Sequence, residues 1–224
     1  MGCLLKGGGG LYPRLRIGAV LLAAGEGRRM GGVAKGLIRL QGVPLLRRQL
    51  IALSGAGVDE VVVVTGHAQA AVEKEVLGFT VTLAHNESYA QGQESSVRFG
   101  LAALNGPFDA VFIMPSDQPL IAADDLTELI GAFKKRPGGH VIVPEVNGQR
   151  GNPILIDDEA RAQILASGAN LGCRHLIELH PELMHAHTSA NTRFVTDIDT
   201  LDDLHALAQR TGWKLELPEP ETVS

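Results

Sequence analysis

Three short stretches of this 224-residue chain carry side chains that could do chemistry together. The first, LAAGEGRRMGGVAKG at 22–36, sets four glycines between Gly25 and Gly32, with Arg28 and Arg29 inside the run and Lys35 just beyond it. Glycine lets a backbone approach a ligand closely and turn several N–H groups toward phosphate oxygens. The two arginines and the lysine would add charge-assisted bonds. The second, MPSDQPLI at 114–121, holds Asp117 between two prolines. A carboxylate there could bind Mg2+ that bridges phosphate oxygens. The third, DIDT at 197–200, places Asp197 and Asp199 two apart, on one face of an extended chain, where they could complete a metal site with Asp117. Each stretch also has a plainer reading: a flexible bend, an N-cap aspartate, and a helix start with Asp202 and Asp203 in its first turn.

Other residues stand near these three. HNESYAQGQESSVRFG (85–100) is a polar loop running into a helix N-terminus, a natural anion site, where Gly92, Gln93, Ser95 and Ser96 could meet a base, ribose or phosphate. RGNP at 150–153 could line a second pocket. His67 closes VVVTGH and reads as a capping or packing residue more readily than as a catalyst. The glycine run is neither a Walker A loop nor the dinucleotide fingerprint, since Met30 stands where the third glycine would fall. No GxSxG, HExxH or Cys–His spacing occurs. That pattern favours a reaction run by positioning, cations and a metal, as in phosphoryl and nucleotidyl transfer.

The elements that must hold these residues follow from periodicity. Apolar runs at 17–23, 60–66, 79–86, 109–117 and 140–146 read as strands. Amphipathic stretches at 44–57, 68–76, 95–106 and 122–136 read as helices between them, with Ser95 or Ser96 near the cap of the third. This β-α rhythm predicts an α/β fold: a doubly wound, mostly parallel, Rossmann-like sheet with right-handed crossovers. After residue 146 come a turn and a further strand giving a small antiparallel extension. Two helices over 157–169 and 171–183, a last strand over 193–199 and a helix over 200–210 follow. Ligands of such sheets bind at the carboxyl ends of the strands, where all three stretches fall. Residues 1–14 read as a disordered extension, 15–212 as one domain and 213–224 as a fraying tail.

Composition bounds the rest. A net charge of −5 argues against a general nucleic-acid binder. Two cysteines without metal spacing suit a reducing, cytoplasmic setting. No apolar run reaches the roughly 20 residues needed to cross a membrane. No signal-peptide h-region opens the chain, and Lys6 stands where myristoylation needs Ser or Thr.

Taken in order from Gly18 to His205, the motifs resemble those of the molybdenum cofactor cytidylyltransferase family. LAAGxGxRMG is Leu22 to Gly31, followed by Lys35 and by GxPLL at 42–46. VVVTGH lies at 62–67, the asparagine-to-GxxSS segment runs from Asn86 through Gly92 to Ser95 and Ser96, SDQP is 116–119, and DIDTxxDL is 197–204. The resemblance implies transfer of CMP from CTP to the phosphate of a molybdopterin-type cofactor, with release of pyrophosphate. It implies that Leu22, Ala23, Ala24, Gly25, Gly27, Arg28, Lys35, Thr65, Gly92, Ser95 and Ser96 bind the nucleotide. Lys35, Arg28 and Asp117 would carry catalysis, and Asp117 and Asp199 would hold Mg2+. Arg150, Gly151, Asn152, Asn170 and Arg174 would meet the acceptor, and a molybdenum hydroxylase apoenzyme would receive the product. Guanylyl-transferring relatives tend to have LAGG, and often Asp before the lysine; Ala24 and Ala34 lean toward cytosine. Asn152 replaces the histidine of RGHP, and Asn170 the aspartate of GDxGAR. These changes leave open a sugar-phosphate acceptor or a non-catalytic cofactor carrier.

Overall fold

The structure, a computed structural model, describes residues 14–167 and 172–218. The expectation of a disordered segment at the start of the chain, and Asn170, lie outside them, apart from Arg14. Alternation along Ile17–Ala23 (β1) sets the architecture. All seven residues are buried. Ile17, Ala19, Leu21 and Ala23 enter one apolar cluster and Val20 and Leu22 the other, so both faces of the strand are covered. Glu60–Thr65 (β4), Thr82–His85 (β5) and Ala110–Pro115 (β6) extend the same parallel sheet.

Between them lie Arg39–Leu40 (β2), Val43–Pro44 (β3), Leu45–Gly55 (α1), Gln69–Glu75 (α2) and Gln93–Ala103 (α3). Beyond β6 come Ala123–Lys135 (α4), Val141–Val146 (β7), Gln149–Arg150 (β8), Ile154–Ile156 (β9), Asp158–Ala166 (α5) and Cys173–Leu179 (α6). The described chain closes with Met184–Thr188 (β10), Leu201–Thr211 (α7) and Leu215–Glu216 (β11). Among the described residues the main sheet has eight strands, ordered β10-β7-β9-β6-β1-β4-β5, with β8 beside β7. Strand β9 is antiparallel to β6 and β7, which is the expected antiparallel extension. Side chains of α1, α2 and α4 cover one face of the sheet; those of α3, α5 and α6 cover the other. Each wholly buried Leu or Val contributes roughly 1.5–3 kcal/mol. Helix α3 lies close on the sheet, because a Cβ at Gly100 would stand 2.3 Å from Val20 Cγ1. Among the described residues no helix is long and apolar enough to cross a membrane.

Three expectations need correction. Residues 193–199 form no strand. Asn191 accepts a bond from Arg193 N and bends Thr192–Val195 into a 3-10 turn, and the Phe194 carbonyl accepts from Asn152 N (2.9 Å) rather than from a ladder. The strand in this region is β10, parallel to β7 and placed where no apolar run announces it. The tail does not fray at once: β11 pairs with β2, and Trp213 and Leu215 pack on a third cluster around Ile38, Leu40 and Leu204. Helix α3 also starts at Gln93 with Gly92 as its N-cap, so Ser95 and Ser96 do not cap it.

Candidate active site

Strands β1 and β6 run side by side with Leu22 opposite Pro115, so the chain leaves both at one edge of the sheet. The glycine loop follows β1, and Ser116 and Asp117 follow β6. Ser116 N donates to Leu22 O (3.1 Å), which ties the two exits together. Ile198 N donates to Asp117 O (3.0 Å), which lays the 197–199 stretch along the same edge.

Lys35 sits between the two acids. Its Nζ donates to Asp117 Oδ2 (3.1 Å) and also to Asp199 Oδ1, residues 82 and 164 positions away. Arg29 Nη1 holds the other oxygen of Asp199 at 2.7 Å. Burial penalises the Lys35 charge, but the Asp117 and Asp199 carboxylates outweigh it and raise its pKa. Asp117 is the opposite case. Burial pushes its carboxyl above the usual value, and Lys35 offsets only part of that. The bond from Lys35 holds Asp199 below its usual value against a smaller burial penalty, with help from Arg29.

A cleft of about 420 Å³ opens over this group. Leu22, Ala23, Ala24, Gly25, Gly27 and Arg28 line it, together with Lys35, Asp117, Asp199, Gly92 and Ser96. Arg28 is exposed and bonds Glu26. Thr65 and Ser95 are not among the lining residues. Thr65 is wholly buried and meets His85 Nδ1 at 3.2 Å. Ser95 Oγ donates to Gly92 O (2.9 Å). Asp197 does not complete a metal cluster either: among the described residues no three His, Cys, Asp or Glu gather closely enough. Asp117 and Asp199 remain as an oxygen-only pair. That fits a small hard cation, since Mg2+ is usually held by one or two carboxylates, with phosphate and water oxygens supplying the rest. The imperfectly offset burial of Asp117 points the same way.

A second cavity of about 530 Å³ adjoins the first, and Gln93 lines both. Arg150, Gly151, Asn152 and Arg174 line it, so four of the five expected acceptor residues share one space. Arg174 Nε also donates to Glu178 Oε1 (3.0 Å). Burial pushes the Cys173 thiol in its wall up to about 12, so it stays a protonated, inert side chain there.

Two glutamines fix the arrangement: sequence reasoning passed over Gln49, and noted Gln118 within SDQP without giving it a role. Gln49 Nε2 donates to Pro115 O (2.9 Å) and Gln118 O (3.2 Å), bracketing Asp117. Gln118 Nε2 donates to Asn152 O (2.8 Å) and Phe194 O (3.2 Å), joining the cleft to the second cavity. Gln49 had a signal: it interrupts the apolar i, i+4 row of Leu45 and Leu53.

The glycine loop turns at Gly27, whose φ is 60°. Its carbonyl accepts from Met30 N (2.8 Å) and Gly32 N (3.2 Å), and a Cβ would lie 1.8 Å from Val33 O. A left-handed backbone alone costs an L-residue roughly 1–2 kcal/mol. Gly27→Ala is therefore expected to weaken nucleoside triphosphate binding about tenfold or more, as calorimetry would measure, with the circular dichroism spectrum unchanged.

A glycine-lined cleft at the carboxyl edge of a mostly parallel sheet, with a lysine and two carboxylates in its lining, defines a nucleotide-binding α/β enzyme. The chain belongs to the MobA-like NTP transferase domain family, which it matches over residues 19–188. The bifunctional protein GlmU of Pelobacter propionicus is 33% identical over 147 residues, 64% of this chain and 32% of that protein. The chain spans about a third of the length of the GlmU proteins it matches. The phosphoenolpyruvate guanylyltransferase of Roseiflexus castenholzii is 30% identical over 144 residues, 63% of this chain and 65% of that one. Rv0371c of Mycobacterium tuberculosis H37Rv, solved in complex with manganese, shares the fold at a TM-score of 0.69 and 21% identity, covering 87% of this chain and 98% of that one.

Proposed function

We propose that this chain transfers CMP from CTP to the phosphate of a molybdopterin-type cofactor. One observation carries the reading: a glycine-lined nucleotide cleft and an arginine-bearing cavity meet at Gln93, beside Lys35, Asp117 and Asp199. An acceptor phosphate oxygen attacks the α-phosphorus, the bond to the β-phosphate oxygen breaks, and pyrophosphate leaves. Lys35, held charged, neutralises the charge that develops on the phosphates. Asp117 and Asp199 would hold Mg2+, which would supply positive charge against the triphosphate; the manganese complex of Rv0371c supports a divalent ion in this fold. Arg150 and Arg174 would receive the acceptor phosphate. A molybdenum hydroxylase apoenzyme would be the recipient of the product.

The choice of cytosine rests on Ala24 and Ala34, both buried at the cleft wall. The Leu22 and Ala24 carbonyls already accept from Ser116 N and His67 N, so base reading falls more on Gly25 and on the start of α3 from Gly92 to Ser96. The phosphoenolpyruvate guanylyltransferase relative favours a second reading, with guanine as the base and a small phosphorylated acceptor. Thermal stabilisation by CTP, GTP, ATP and UTP, each with Mg2+, ranks the bases. Pyrophosphate release is then measured with molybdopterin and with sugar phosphates. CTP with molybdopterin is expected to be the productive pair; a larger shift and faster release with GTP would sink the cytosine assignment.

A further inference from the structure

One side chain knits the loop after β5. Asn86 is 4% exposed. Its Nδ2 donates to Ser95 Oγ (3.0 Å) and Ser96 Oγ (3.1 Å), and its Oδ1 accepts from Ser88 N (3.0 Å). Its own N–H donates to Thr65 O (2.9 Å), and its carbonyl accepts from Tyr89 N (3.2 Å). The 3-10 turn Tyr89–Gln91 is thus fixed both to β4 and to the start of α3, and it delivers Tyr89 to the wall of the cleft.

Among the described residues, Tyr89 is the one aromatic that lines that cleft, in a chain with only 4% aromatic residues. Its ring is half-buried and lies against Gly66. A Cβ on Gly66 would stand 2.8 Å from Tyr89 Cγ and 2.9 Å from Ala24 Cβ. The missing side chain is therefore what lets the ring and Ala24 close on each other. His67 packs beside the ring, with centroids 6.2 Å apart and the planes tilted by 58°.

An aromatic ring held rigidly at a cleft wall, with an alanine methyl beside it, suits a flat heterocycle. We propose that Tyr89 is the stacking face of the nucleobase subsite and that Ala24 and Gly66 form the wall beside it. The proposal rests on a nucleotide occupying this cleft. Stacking tolerates every base, because each has a π-face. Tyr89 then supplies affinity for the base as such, and the choice among bases is left to groups that meet the ring edge.

The test separates base from phosphate. Calorimetry measures binding of CTP and of inorganic tripolyphosphate, each with Mg2+, to wild type, Tyr89→Ala and Tyr89→Phe. Tyr89→Ala is expected to weaken CTP about tenfold or more and to leave tripolyphosphate within about twofold. Tyr89→Phe keeps the ring and should restore CTP binding. Undiminished CTP binding by Tyr89→Ala would overturn the proposal. Equal loss of both ligands would overturn it too, since Tyr89 would then only hold the loop. Wild-type protein that binds tripolyphosphate but no nucleoside triphosphate would overturn the nucleotide reading itself. If GTP is the tighter ligand, the same expectations are read with GTP.

Discussion

Asp117→Asn is expected to slow pyrophosphate release by about a thousandfold or more while leaving the free protein at least as stable as wild type. Two properties of one carboxylate separate the two effects. Asp117 is the acid that burial penalises most clearly at the site, and the Lys35 ammonium does not fully offset that penalty, so its pKa stands above the ordinary value of 3.8. The folded protein therefore holds this proton more tightly than the unfolded chain does. Ionisation costs stability as pH rises from about 3.8 through the raised folded value, and the cost is fully present above it. The raised value already includes the attraction to Lys35, so losing that attraction does not reverse the sign. A carboxamide of the same shape carries no charge to desolvate. It also cannot serve as a cation ligand of the same strength or balance Lys35 next to a triphosphate. Melting curves at pH 7 and a pyrophosphate assay together check this. A variant that is both inactive and clearly less stable would show that Asp117 is mainly a structural group.

That separation is the signature of a residue kept for function at a cost in stability. It also shows which parts of the site a linear reading could reach. Strand ends were readable because β1 and β6 are apolar on both faces, and such strands must be buried in a parallel sheet whose carboxyl edge gathers ligands. Lys35 and Asp117 follow from that logic. The bridge from Lys35 to Asp199 does not, since it closes across 164 residues and depends on where the 191–199 segment is pinned. Two of the pins, the Ile198 N–H on Asp117 O and the Asn152 N–H on the Phe194 carbonyl, are backbone contacts with no sequence signature, and the side chains of Gln118 and Asn191 add bonds to Phe194 O and Asp125. RFVTDID was expected to form a strand, and the side chain of Asn191 bends its first half into a turn instead. Strand β10 was hidden for the opposite reason. MHAHT has half-polar faces at the sheet's edge, and among the described residues β7 is its one ladder partner, so it needs no apolar run. Its His187 is held from outside the sheet by Glu128 (2.7 Å). Thr65 shows the limit of carrying a motif residue by residue. It belongs to a recognisable run, but its side chain turns to His85, and what it gives the site is its carbonyl, which seats Asn86.

Lys35→Met is expected to divide stability from catalysis in the other direction. Lys35 has 19% of its side chain exposed, and its pKa is raised because the two carboxylates outweigh the burial penalty. For a base the sign is direct. A raised folded pKa means stability that is fully present below the ordinary value of 10.5 and is lost as pH climbs past the folded one. Lys35 therefore stabilises the protein at pH 7. Methionine keeps most of the stem but leaves Asp117 and Asp199 facing each other without their shared cation. The loss should be about 2 kcal/mol, between the values for exposed and buried pairs, and should appear as a lower Tm. A divalent ion supplies the charge that methionine cannot. Added Mg2+ should therefore raise the Tm of the variant more than that of wild type. Turnover should remain about a hundredfold to a thousandfold down even with Mg2+ saturating, because a cation fixed between the carboxylates does not replace an ammonium that can shift onto the phosphates as charge develops. Melting with and without Mg2+, beside pyrophosphate release at saturating Mg2+, reads both effects. Full recovery of turnover by Mg2+ would mean that Lys35 only fills the cation position and takes no part in the transfer.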